Sequence, residues 1–175
     1  MVKFGIIADT HITLETDPKK VKALLSELNK AFKDVDEIIH AGDVCEEYFL
    51  EELDQIAPTK CVEGDIDNIK SLEKFIKFNA GRYKIGIIHE PPENIEDFFK
   101  QNDLHILIHG HSHMPIIQGT KFNALILNPG SPTQPKPPPK KPFFKEPIAR
   151  PTVIKLEVKE DTDIISTFII NLNNY

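Results

Sequence analysis

The stretch that most constrains this chain is residues 104–113, LHILIHGHSH. Its apolar part, Leu104, Ile106, Leu107 and Ile108, has the length and composition of a buried strand. It runs into Gly110, His111, Ser112 and His113. Glycine lets the backbone turn with no side chain in the way, so two imidazoles two residues apart can face one point beyond the strand's end. Neutral imidazole is the commonest metal ligand. The question is what else the chain brings to that point.

The same ending recurs along the chain. Residues 2–8, an apolar β-branched run, lead to Asp9 and His11. Strands predicted at 37–40 and 60–63 lead to Gly42-Asp43 and to Gly64-Asp65-Ile66-Asp67, and a strand at 83–89 closes on His89 and Glu90. One aspartate at a strand end reads as a turn residue. Three aspartates (Asp9, Asp43, Asp65) and four histidines (His11, His89, His111, His113) at five strand ends read as a ligand cluster.

Between these ends, Asp17-Pro18 reads as an N-cap and a first helical residue, and Val21, Leu24, Leu25, Leu28 and Phe32 give 18–33 a helical apolar face. Residues 45–56 and 94–101 read as two further helices. Hairpins are predicted at 74–79 with 83–89, at 115–118 with 122–127, and at 152–159 with 163–171. Strand–helix alternation in the first half favours parallel pairing, whereas the second half is mostly hairpins. Together they predict an α/β protein: two packed mixed sheets with helices outside, a four-layer sandwich whose ligands lie beyond the strands' carboxyl ends. The 175 residues suit a single domain, 1–175.

Mixed carboxylate and imidazole ligands suit Mn²⁺, Fe²⁺, Zn²⁺ or Ni²⁺. No thiolate lies among them, which argues against a structural zinc site. Seven ligands are too many for one open ion and suit two ions sharing a bridge, a pair that would clamp both oxygens of an in-line displacement at phosphorus.

Asp9-x-His11, Gly42-Asp43, Gly64-Asp65-x-Asp67, His89 and Gly110-His111-x-His113 stand in the order of the calcineurin-like metallophosphoesterase family, and the chain resembles its small, single-domain phosphodiesterase branch. Asn128-Pro129-Gly130-Ser131 also resembles a loop of that branch. The resemblance implies an α/β/β/α sandwich and a binuclear centre, with manganese the first choice of metal. Asp9, His11 and His113 would hold one ion, Asp65, His89 and His111 the other, and Asp43 would bridge them. It also implies a metal-bridging water or hydroxide as the nucleophile toward a phosphodiester, with Asp43, Asp65, His89 and Glu90 as the catalytic residues. Two departures stand out. Asp65 occupies the family's usual asparagine position, adding negative charge beside the nucleophile and substrate. Glu90-Pro91 replaces a glycine and a histidine, so Glu90, His40 or bulk water would have to protonate the leaving group. The alternative is a metal-binding interaction scaffold with weak or no catalysis: the scaffold subunit of retromer shares the fold and an aspartate at that position.

Composition narrows the partners. Charges of 21 Lys+Arg against 27 Asp+Glu give −6, which disfavours nucleic acid as a partner; the small-molecule phosphodiester substrate is what the resemblance implies. No window approaches a membrane span and no signal-peptide pattern opens the chain, so a cytoplasmic location with Cys45 and Cys61 as free thiols is expected. Residues 132–151 carry eight prolines with Lys136, Lys140, Lys141, Lys145 and Arg150, and read as a solvated basic loop. Its Phe143-Phe144 tip would pack on the body or on a neighbouring subunit, the one pointer to a homo-oligomer.

Overall fold

Period-two alternation settles how the strands layer. In β1 (Val2–Ile7), Phe4 and Ile6 join one apolar cluster and Ile7 another; in β2 (Glu37–His40), Ile39 and Ile38 divide the same way. The computed structural model describes residues 1–173. Its other strands are β3 (Thr59–Cys61), β4 (Phe75–Ala80), β5 (Tyr83–Ile88), β6 (Ile106–Ile108), β7 (Pro115–Gly119), β8 (Leu125–Pro129), β9 (Thr152–Lys159) and β10 (Ile164–Asn171). They form two five-stranded sheets, ordered β10-β9-β1-β2-β3 and β4-β5-β6-β8-β7.

The cluster between the sheets takes Phe4, Ile6 and Ile39 from one and Ile85, Ile87, Ile106 and Ile108 from the other. Helices α1 (Pro18–Ala31) and α2 (Glu47–Asp54) cover the outer face of the first sheet through Leu24, Leu28, Phe49 and Leu53. Helix α3 (Ile95–Asn102) covers the second through Phe99 against Leu104, Leu107 and Ile126. The order is thus α/β/β/α. Each fully buried leucine or isoleucine contributes about 1.5–3 kcal/mol of transfer free energy, so the inter-sheet layer and the layer under α1 and α2 both contribute substantially to stability.

The helices start where their caps dictate. The Asp17 carboxylate accepts the Lys19 N–H (2.9 Å) ahead of Pro18, and the Asn94 side chain accepts the Asp97 N–H (3.2 Å). Helix α2 begins at Glu47 rather than residue 45, because Cys45 is left-handed (φ 74°).

The second sheet is mixed, as expected: the β4–β5 and β7–β8 hairpins form and β5, β6 and β8 run parallel. The strand order, which the sequence left open, places β8 between β6 and its own hairpin partner β7. That insertion sends the loop after β8 to the edge where β1, β2, β5 and β6 end. Residues 120–124 form a turn rather than strand, closed by Thr120 N–H to the Ala124 carbonyl (2.8 Å). Residues 132–151 form neither helix nor strand, as expected, but Phe143 and Phe144 stand exposed and do not pack back on the body.

Candidate metal centre

All eight predicted site residues lie at one edge of the sandwich, directly after strands β1, β2, β3, β5 and β6. Two triads have ligand atoms within 4.8 Å of one another: Asp9, His11 and His113, and Asp65, His89 and His111; Asp9, Asp43 and His89 form a third such group between them. Oδ2 of Asp43 stands 3.8 Å from His11 Nε2 and 3.5 Å from His89 Nε2, so one oxygen faces a member of each triad. The first triad is the more buried, with the Asp9 side chain 0% exposed; the second is open, with Asp65 at 53% and His111 at 45%.

Five of these seven candidate ligands have left-handed backbones: Asp9 (φ 53°), His11 (47°), Asp43 (58°), His111 (66°) and His113 (60°). Such conformations are uncommon outside glycine, and each costs about 1–3 kcal/mol, so they persist where the surroundings enforce them and gather at functional sites. The neighbouring glycines clear the space. A Cβ on Gly64 would lie 2.2 Å from Asp43 N, and one on Gly42, itself at φ 86°, would lie 2.6 Å from His89 Nδ1.

Groups behind the ligands fix their orientation. His89 Nδ1 donates to the Ala41 carbonyl (2.8 Å) and His113 Nδ1 to the Gln134 carbonyl (2.8 Å), which leaves both Nε2 atoms facing inward. Oδ2 of Asp67 accepts the N–H groups of Asp43 (3.0 Å) and Gly64 (2.8 Å), and Oδ1 accepts that of Cys45 (2.7 Å). Ser131 Oγ donates to the Asp9 carbonyl (2.7 Å) and Thr133 Oγ1 to that of Thr10 (2.8 Å). The bracing parts of Ser131, Thr133 and Gln134 are not legible in the sequence, where Ser131 stands out only within the Asn128-Pro129-Gly130-Ser131 resemblance and the others only as a polar run after a buried strand.

The electrostatics are those of crowded ligands. Burial pushes the Asp9 carboxyl up to about 6, against the pull of His113 and His89. Burial opposes charge on both His89 and Asp43, but each stabilises the other: with help from the Ala41 carbonyl and Asp9 the imidazole rises to about 9, and with help from the Ile66 N–H the carboxyl falls to about 2. Buried Asp9 Oδ2 and His89 Nε2 have no hydrogen-bond partner, and His89 Nε2 lies beyond hydrogen-bond length of Asp43. Unpartnered buried polar atoms of this kind, in a carboxylate–imidazole set, fit divalent cations.

His40 does not qualify as a proton donor. It is fully buried, bonded through Nε2 to Thr10 Oγ1 (3.0 Å), and burial pushes it down to about 3, so it stays neutral. Glu90 is exposed, with Oε1 3.8 Å from His111 Nε2. Cys45 and Cys61 are free thiols; burial raises Cys45 to about 11, and neither joins the three candidate ligand groups.

The architecture defines the class: an α/β/β/α sandwich with a candidate divalent-metal centre at its strand ends. The model of the calcineurin-like phosphoesterase superfamily domain matches residues 2–145, and the chain belongs to that family. A probable metallophosphoesterase of Methanothermobacter thermautotrophicus is 30% identical over 174 residues, covering 93% of this chain and 91% of the relative. Another from Methanocaldococcus jannaschii is 35% identical over 141 residues, covering 77% and 70%. The fold is shared with Vps29 of Entamoeba histolytica complexed with Zn²⁺ (TM-score 0.70, 22% identity, 98% of this chain and 100% of that one). It is shared equally with a novel archaeal phosphodiesterase (TM-score 0.69, 18% identity, 97% and 100%). Among the described residues, no helix is long and apolar enough to cross a membrane.

Proposed function

We propose that this chain is a binuclear-metal-dependent phosphoesterase that hydrolyses phosphodiesters, with Mn²⁺ as its first metal. The observation that carries the reading is the place of Asp43 Oδ2, within 3.8 Å of His11 Nε2 and 3.5 Å of His89 Nε2, where one carboxylate can serve two triads. In this reading Asp9, His11 and His113 hold one ion, Asp65, His89 and His111 hold the other, and Asp43 is common to both. Two such ions supply Lewis acidity toward phosphoryl oxygens and lower the pKa of water toward neutrality.

The protein's own contribution is position and charge. The carbonyls of Ala41 and Gln134 fix the His89 and His113 rings, and the Asp67 carboxylate fixes the Asp43 backbone. Asp65 and His111 (Nδ1 to Oδ2 2.8 Å) form the solvent-facing end. Glu90 stands beside them at this opening, with Glu63 and Lys74 also on its lining, and is the group we assign to give a proton to a departing oxygen. With Glu90-Pro91 where the family has a glycine and a histidine, the leaving group lacks that imidazole, and turnover falls short of the about 10²–10⁴-fold that a well-placed acid contributes.

The test is hydrolysis of bis(p-nitrophenyl) phosphate by Mn²⁺-loaded protein, beside Asp43→Ala and His111→Ala. The reading expects metal-dependent turnover in the wild type, its loss in both variants, and weaker action on p-nitrophenyl phosphate. Turnover no greater than that of Asp43→Ala overturns it. The alternative, a metal-binding interaction scaffold, draws on the negative charge that exposed Asp65 and Glu90 add to the open end. Tight stoichiometric metal without turnover would favour it.

A further inference from the structure

A cavity lies beside His11, at the more buried end of the centre. It has a volume of about 470 Å³ and shares His11 with the first triad. Ile12, Leu24, Pro132 and Pro151 give it apolar walls, and Lys20 and Gln134 stand at its edge. The ammonium of Lys20 and the carboxamide of Gln134 have no hydrogen-bond or ion-pair partner among the described residues. The other polar groups are already engaged: Thr16 Oγ1 accepts the Thr13 N–H (2.9 Å), and Thr133 Oγ1 donates to Thr10. A separate cavity of about 360 Å³, lined by Glu63, Gly64, Asp65, Lys74, His89 and Glu90, adjoins the other triad and is rich in carboxylates. The ligand array therefore lies between two openings.

Resting on the phosphodiesterase reading, we infer that the cavity beside His11 receives the half of the diester that stays on phosphorus, and that this half has an apolar body ending in an anion. Direction follows from the two openings. Glu90 stands at the open end, so the oxygen that needs a proton departs there, and the retained substituent points the opposite way, past His11. Chemistry follows from the walls. Ile12, Leu24, Pro132 and Pro151 favour an apolar body, while the Lys20 ammonium, unpaired among the described residues, attracts a carboxylate or phosphate. Lys20 and Leu24 are one helical turn apart on α1, so charge and apolar surface are offered side by side. The Gln134 peptide, whose carbonyl holds His113, is also a wall of this cavity, so a substituent seated there lies against the same segment that braces a ligand.

Two matched diesters test this: p-nitrophenyl butyl phosphate and p-nitrophenyl 3-carboxypropyl phosphate, which differ only in the end of the retained chain. With Mn²⁺-loaded protein, the carboxylated ester should show a KM roughly fivefold lower, the size of one partly exposed charge pair. Lys20→Ala should bring the KM ratio to about one, and Lys20→Glu should invert it. Binding of butylphosphonate and 4-phosphonobutyrate, followed by calorimetry, reports the same preference without turnover. If neither ester is cleaved, the phosphodiesterase reading fails while the phosphonate pair still decides the cavity. Equal binding of the two phosphonates, or a preference that survives Lys20→Ala, overturns the inference by itself.

Discussion

The carboxylate of Asp67 grips the backbone of Asp43: Oδ2 accepts the Asp43 N–H at 3.0 Å while also accepting that of Gly64. Asp67 lies in none of the three candidate ligand groups, yet it sets where the shared carboxylate points. Asp67→Ala should weaken Mn²⁺ binding about 10–100-fold, the usual effect of removing a group that orients a ligand. Titration of metal into chelator-stripped protein measures it, with the circular dichroism spectrum unchanged.

Gly64→Ala should have a related effect by contact. The added Cβ would stand 2.2 Å from Asp43 N and 2.3 Å from its Oδ1, so the Asp43 loop must shift. Turnover should fall at least tenfold, because displacements of about 1 Å at a catalytic array cost that much or more. The thermal midpoint should fall less than for a buried apolar truncation, since the inter-sheet core is untouched. An alanine variant with wild-type metal affinity would show that the loop gives way freely.

Ser131→Ala removes a buried hydroxyl that donates to Asp9 and accepts from Gln134 N–H (2.8 Å). Leaving those partners unmatched costs about 1–3 kcal/mol, a fall of roughly 2–10 °C in a protein of this size. Calorimetry checks the midpoint. The metal affinity should fall with it, since Gln134 is the residue that fixes His113.

Divalent metal should stabilise the protein markedly. At a hundred times its dissociation constant, a ligand that binds the folded state alone adds about 2.7 kcal/mol, so Mn²⁺ should raise the midpoint roughly 5–10 °C. Chelator should reverse the gain, and Asp43→Ala should show little of it.

Acid should weaken the tie between β1, β9 and the turn after α1. Asp34 bonds Lys155 on β9 and Lys3 on β1 (2.6 Å to the latter), and those lysines hold its carboxyl down at about 2. An unfolded aspartate titrates near 3.9. The folded value lies below the unfolded one, so the contribution is fully present above about pH 4 and is lost as the pH falls through about 2. The stability difference between wild type and Asp34→Asn should close over that window, and it should shrink in high salt because the pair is exposed. A constant difference from pH 6 to pH 2 would remove Asp34 as its source.

Local pattern carried most of this fold. Runs such as VKFGII and the helical spacing of Val21, Leu24 and Leu28 state their own conformation, and β2 and β9 fall on their expected bounds because both are flanked by turn residues. The gathering of Asp9, His11, Asp43, Asp65, His89, Glu90, His111 and His113 at one edge was legible because each directly follows a strand. The place of β8 was not, since strand order rests on pairings between residues far apart, such as Leu107 with Ile126. The loss of His40 as a donor was equally hidden. Its sequence position resembles that of the ligands, and only burial against Thr10 separates them.

Asp9, His11, Asp43 and Asp65 hang from the first sheet, whereas His89, His111 and His113 hang from the second. A cation held by either triad is therefore a rivet across the seam where the two sheets meet. Chelation should loosen that seam first, so amide hydrogens of β1 and β6 near the riveted edge should exchange faster than those at the opposite edge, and metal uptake during refolding should mark the moment when the two halves dock.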